Sequence, residues 1–164
     1  MESIVITFSP QVTGRIEFGV EVMTADRLSF RTVEFKLDTG SDFTTLSCDD
    51  LLLLGYTDVF LQTCDIFGKA SSAAGDVDLR YIDNVSIKFR DREIQGCRIF
   101  FALGSHLRSL FGSDILRHFN YSINNDIGEL RMTLAAKIPK LTHGEPPLHI
   151  YSLNYENRAG GSPS

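Results

Sequence analysis

The stretch Phe-Lys-Leu-Asp-Thr-Gly-Ser-Asp-Phe, residues 35–43, alternates apolar and polar positions and then stops on one acid, Asp38, followed by Thr39, Gly40 and Ser41. A carboxylate set at the end of a rigid strand is placed to exchange a proton with water or substrate. The same four residues also suit an ordinary turn, because Asp, Gly and Ser favour turns and an Asp side chain bonds backbone N–H groups just downstream. Context separates the two readings. Thr44-Thr45-Leu46 leads from the turn toward a helix that Ser47 is able to cap, and a later apolar strand end, Leu110-Phe111-Gly112, again runs into a short helix.

No other constellation has comparable spacing. The sequence holds no Gly-x-Ser-x-Gly elbow, so Ser41 and Ser113 read as loop and cap residues. Nothing in the spacing pairs Cys48 with His106, His118, His143 or His149 as a thiol nucleophile, and the four histidines lack metal-ligand spacing. Asp49-Asp50 and Asp76/Asp78 sit in no Gly-containing calcium loop. No metal and no cofactor are therefore expected. Cys48, Cys64 and Cys97 are odd in number and widely spaced, which predicts reduced thiols. A net charge of -5 offers no clustered Lys and Arg for nucleic acid or an anionic membrane. No apolar run is long enough to span a bilayer and the start lacks a basic leader, so a cytoplasmic protein is expected.

The elements that must position Asp38 are mostly strands. Ile16, Phe18, Val20 and Val22 alternate with polar residues, and Val33, Phe35 and Leu37 repeat the pattern. Further strand-like runs cover residues 4–8, 59–64, 77–82, 85–89, 94–101, 119–123 and 129–134, with turn signals at 90–92 and 125–128. The spacing predicts a mostly β protein whose hairpins close into a barrel or sandwich. Two short helices are predicted: residues 48–54, capped by Ser47 and stopped by Gly55, and residues 115–118, capped by Ser113 or Asp114. With 164 residues and 43% hydrophobic content, one domain over residues 1–136 is expected, followed by a Pro- and Gly-containing tail, 137–164, extended or disordered. Within that tail, residues 148–155 keep apolar and aromatic character, suited to docking as a strand on this chain or a partner subunit.

Taken together, Phe35, Leu37, Asp38, Thr39, Gly40 and Ser41, followed by Leu110, Phe111 and Gly112, resemble the motifs of the retropepsin-like aspartic proteases, the family of the retroviral proteases and their relatives. The resemblance covers about residues 33–134. It implies a closed β-barrel with one or two short helices and a flap hairpin, and hydrolysis of peptide bonds by paired carboxylates. Only one Asp-Thr-Gly occurs, so the resemblance implies a homodimer in which two copies of Asp38 meet across a twofold axis. Thr39 would then bond across to the partner loop, and Gly40 would let a second backbone approach. The flap falls at residues 62–79, with residues 67–75 expected to be flexible and outside any strand. There Phe67 and Gly68, with Asp42 of the active-site loop, are the candidate substrate contacts; Phe67 reads equally as core cover. Two departures stand out. Ser113 occupies the place where retroviral members carry an arginine that pairs with the acid at the Asp42 position, and the flap lacks paired glycines. Both keep open a rival reading, a non-catalytic dimerisation or peptide-binding module on the same fold.

Overall fold

A computed structural model describes residues 3–9, 15–72, 75–89, 92–135 and 149–152. The elements in chain order are β1 (Ser3–Thr7), β2 (Glu17–Met23), β3 (Phe30–Leu37), α1 (Cys48–Leu53), α2 (Asp58–Thr63), β4 (Ile66–Ser72) and β5 (Gly75–Phe89). There follow β6 (Arg92–Phe101), β7 (Leu110–Phe111), α3 (Ser113–Leu116), β8 (Phe119–Asn124), β9 (Glu129–Leu134) and β10 (His149–Ser152). The protein is mostly β, as its alternation predicts. Among the described residues the strands form a small sheet, β1-β9-β8, and a larger one, β10-β6-β5-β2-β3-β7, with β4 added on β5. The described ladders leave β10 and β7 at opposite ends of the larger path.

Alternation decides which faces are buried. Phe18 lies opposite Phe35 and Val20 opposite Val33 in the antiparallel β2–β3 ladder, and all four are buried. Phe111 of β7 is the hub of the core: its ring meets Phe18, Phe35 and Phe89 edge-on at 5.6, 6.0 and 5.7 Å between centroids. Ile4, Ile6, Leu130 and Met132 of the small sheet join the same cluster, together with Leu51 and Leu61 of the helices.

Several expectations are corrected. Of residues 59–64, expected as a strand, 59–63 belong to helix α2 and Cys64 is its C-cap; Thr57 Oγ1 accepts the Phe60 N–H at 3.2 Å and Asp58 stands in the first turn. A short apolar run does not distinguish strand from helix by itself. The two strands expected at 77–82 and 85–89 form the single long β5, bent by register irregularities around Asn84, whose φ is 59°. Ser47 caps α1 as predicted, accepting the Asp50 N–H at 3.1 Å. Neither Ser113 nor Asp114 caps α3; Gly112 holds the N-cap position without a side-chain bond. In the tail, His149–Ser152 pairs antiparallel with residues 92–95 of β6 in its own sheet. The rest of residues 137–164 and the turn signal at Arg90-Asp91 lie outside the described residues.

Candidate active site

Asp38 is delivered by β3, which lies between β2 and β7. The parallel pairing of β3 with β7 sets Leu37 against Phe111, and it continues one residue further as Asp38 N–H donates to Phe111 O at 3.0 Å. On the other side Leu37 N–H donates to Ile16 O at 2.8 Å. With the backbone tied on both edges, the Asp38 side chain leaves the sheet from a fixed origin. One carboxylate oxygen, Oδ1, accepts the Gly40 N–H at 3.1 Å, and Ser41 N–H returns to Asp38 O at 3.2 Å. The turn reading is therefore physically correct as far as it goes. It also aims the acid: Asp38 is half-buried while Thr39 and Gly40 are exposed.

The loop is held from behind by the start of α3. Ser113 N–H donates to Ser41 O at 2.8 Å, and Gly112 packs so closely that a Cβ there would stand 2.4 Å from Phe43 O and 3.0 Å from Ser41 O. This explains the glycine of Leu110-Phe111-Gly112 on steric grounds. Gly40 differs. Within one chain an added Cβ would meet only Asp38 Oδ1, at 3.5 Å, which is ordinary contact.

The sequence reading missed the strongest anchor. Asp114 lies half-buried beneath the loop and accepts three bonds: Thr44 Oγ1 donates at 2.6 Å, Thr44 N–H at 2.9 Å and Ile115 N–H at 2.9 Å. Thr44 Oγ1 in turn accepts the Gly112 N–H at 3.1 Å. Burial pushes the Asp114 carboxyl above its ordinary value, opposed by the bonds from Thr44 and Ile115 and by Arg117. An acid two residues after Gly112, read only as a helix cap, instead bolts α3 to the loop. The neighbouring Thr45 is buried too, donating Oγ1 to Arg108 O at 2.7 Å while residues 44–46 bond to both Phe100 and Leu110.

Asp42 is exposed, and the residue in the expected arginine position, Ser113, supplies its backbone to Ser41. Phe67 reaches the loop through Phe43: their ring centroids lie 5.4 Å apart, and Phe67 also meets Phe100 at 5.3 Å. Phe67 itself is half-buried. Residues 67–72, expected outside any strand, belong to β4, which is ladder-paired to β5 as far as Ser72. Cross-strand polar pairs stabilise that ladder, Lys69 Nζ to Asp78 Oδ1 at 2.9 Å and Ser71 Oγ to Asp76 Oδ1 at 3.1 Å. Gly68 sits at a register shift in the ladder, and a Cβ added there would meet nothing within 4 Å. The residues at 73 and 74 lie outside the described residues.

Two surface clefts, of about 300 and 600 Å³, lie elsewhere: the first is lined by residues of β1, β2 and β5 with Thr32 of β3, the second by α1 and residues 104–109 with Glu34 of β3. Asp38 lines neither. Among the described residues no group of three or more His, Cys, Asp or Glu side chains could hold a metal ion, and no helix is long and apolar enough to cross a membrane.

By likeness to a solved structure, the chain has a retropepsin-like fold. A crystal structure of a retropepsin-like aspartic protease from Rickettsia conorii is similar to the chain with a TM-score of 0.58, at 21% identity, over 80% of this chain and 98% of that one. No protein-family model and no curated protein matches the sequence.

Proposed function

We propose that the protein is an aspartic endopeptidase that hydrolyses peptide bonds as a homodimer, using the Asp38 carboxylates of two subunits. The observation that carries this reading is the loop itself. It is bonded to β7 and α3 on its inner side, while an acid followed by exposed Thr39 and Gly40 faces outward, and the chain has no second Asp-Thr-Gly. One chain supplies half of a site. Two copies across a twofold axis complete it, with Thr39 bonding to the partner loop and the two sheets of each subunit wrapped as one barrel.

In that dimer, like-charge repulsion keeps one Asp38 protonated while the other ionises. The ionised carboxylate takes a proton from water while the water oxygen bonds to the peptide carbonyl carbon, and the protonated one gives its proton to the carbonyl oxygen. Collapse of the tetrahedral species breaks the C–N bond and returns a proton to the leaving amine. The β4–β5 hairpin is the flap that closes over extended substrate, with Asp42 and Gly68 at its path and Phe67 at its root. Free Cys48, Cys64 and Cys97 suit a reducing compartment such as the cytoplasm.

Asp38→Asn is expected to abolish cleavage of an unfolded protein substrate while the sedimentation mass stays dimeric. Full activity in that variant would sink the mechanism. Ser113 in the arginine position and the exposed Asp42 favour the rival, a non-catalytic peptide-binding or dimerisation module. A dimer that cleaves no member of a diverse peptide library at acidic or neutral pH would establish that rival instead.

A further inference from the structure

The cleft between the two sheets follows an open strand edge. Four consecutive residues of β1, Ile4 to Thr7, line it. Side chains of a strand alternate between its two faces, so a cleft lined by every residue in turn runs along the strand's edge. The ladder tells which backbone groups stand there. Phe8 N–H donates to Gly128 O, continuing the β1–β9 register, and bonded pairs alternate with unbonded ones along an antiparallel ladder. Ile4 and Ile6 therefore bond to β9, while Val5 and Thr7 turn their N–H and C=O groups to the other edge, where no described strand pairs. The hydroxyls of Ser3 and Thr133, bonded at 3.0 Å, fit the same alternation, since side chains stand closer in an unbonded pair.

Exposed edges are blunted by charge, proline or a bulge, or else they are covered. Ser-Ile-Val-Ile-Thr carries no charge and no proline, its register with β9 is regular, and three β-branched apolar residues stand in a row. Such an edge calls for a cover. Glu21 and Lys88 give the facing wall both signs of charge, so charge selects no occupant. Position does. In β10 Ser152 lies opposite Arg92, Arg92 lies opposite Phe89 in β5, and Phe89 lines the cleft. The chain thus leaves β10 two strand spacings, about 10 Å, from Phe89, a gap that about three extended residues cross. Tyr155 is the third residue after Ser152, and the sequence continues Glu156-Asn157-Arg158.

We propose that residues 155–158 of the same chain lie in this cleft and add a strand to the open edge of β1, with Tyr155 entering beside Phe89 and the backbone that follows bonding to Val5 and Thr7. Gly19, which also lines the cleft, puts no side chain in the way. The tail then latches the first strand of the fold to the last. Asp38 has no part in this contact, so the proposal stands whether or not the protein cleaves peptides. The test is residue-resolved amide hydrogen exchange on the full chain carrying Asp38→Asn, in which no tail is lost to cleavage. It is compared with the same chain ending at Ser152 and with its Glu156→Pro/Asn157→Pro variant. Neighbouring residues of a strand point their N–H groups to opposite edges, so one of the two prolines falls on the β1 side. Expected is exchange at Val5 and Thr7 at least tenfold faster in both variants, while Ile4 and Ile6 change less than threefold because β9 still holds them. Equal exchange at Val5 and Thr7 in all three chains overturns the proposal. So does matching acceleration of all four amides, which would mark a general loss of stability. Finally, an isotope-labelled chain ending at Ser152 is mixed with the unlabelled full chain. Protection restored at its Val5 and Thr7 would assign the cleft to the tail of a second copy and overturn the contact within one chain; continued fast exchange there supports it.

Discussion

Asp114 shows what a half-buried acid does when it serves as an anchor. Its carboxylate carries the bonds from Thr44, and burial holds it above the ordinary carboxylate value of 3.8. A group whose proton is held more tightly in the folded chain contributes stability that is fully present below its unfolded value and is lost as pH rises through the folded one. The stability gap between wild type and Asp114→Asn should therefore be widest in strong acid and shrink as pH rises from about 3.8 upward. Urea unfolding of both proteins across that range checks the sign; a gap that widens with pH would refute it. Asp114→Ala should cost about 2–3 kcal/mol in acid, because Thr44 is left with buried donors and no acceptor, and this gap too should narrow as pH rises. At this scale the sequence was half legible. Asp38, Thr39, Gly40 and Ser41 announce themselves because their spacing follows an apolar strand, whereas Asp114 depends on Thr44, seventy residues away in the chain, and only the fold brings them together.

At the scale of elements, period-2 alternation found β2 and β3 because each buries alternate residues, while β6, β8 and β9 showed as strand-like runs. It failed at α2, where a capping Thr57 turns a short apolar run into a helix, and at β4, whose small residues hold a ladder through backbone and cross-strand polar pairs with no apolar alternation to see. The consequence for the flap is that its first strand is clamped at its root, Phe67 against Phe43 and Phe100, rather than loose along its length. Phe67→Ala removes that clamp from a half-buried site and should lower stability by about 1–2 kcal/mol. Its distinguishing effect is local: hydrogen exchange should accelerate in β4 while β2 and β3 keep their protection. Uniform acceleration across the large sheet would show that Phe67 serves the core alone and does not restrain the hairpin.

At the scale of the whole molecule, what the sequence could not display is where one chain stops and a second begins, since every contact described above lies within one copy. The two glycines of the site separate these cases. Gly112 is required by its own chain: a methyl group would press on Phe43 O at 2.4 Å, so Gly112→Ala should destabilise the folded chain by about 3 kcal/mol. Gly40 is not. Its added Cβ would meet only Asp38 Oδ1 at 3.5 Å, so Gly40→Ala should change the stability of the isolated chain by less than about 1 kcal/mol. In a dimer built on paired Asp38 loops, the same methyl group would stand where the other backbone must approach. Gly40→Ala should then leave unfolding of the dilute, monomeric chain unaltered, weaken dimerisation at least tenfold by sedimentation equilibrium, and remove cleavage in parallel. Wild-type dimer affinity and wild-type cleavage in Gly40→Ala would mean that the loops do not meet, and the two carboxylates of the proposed site would have to be brought together some other way.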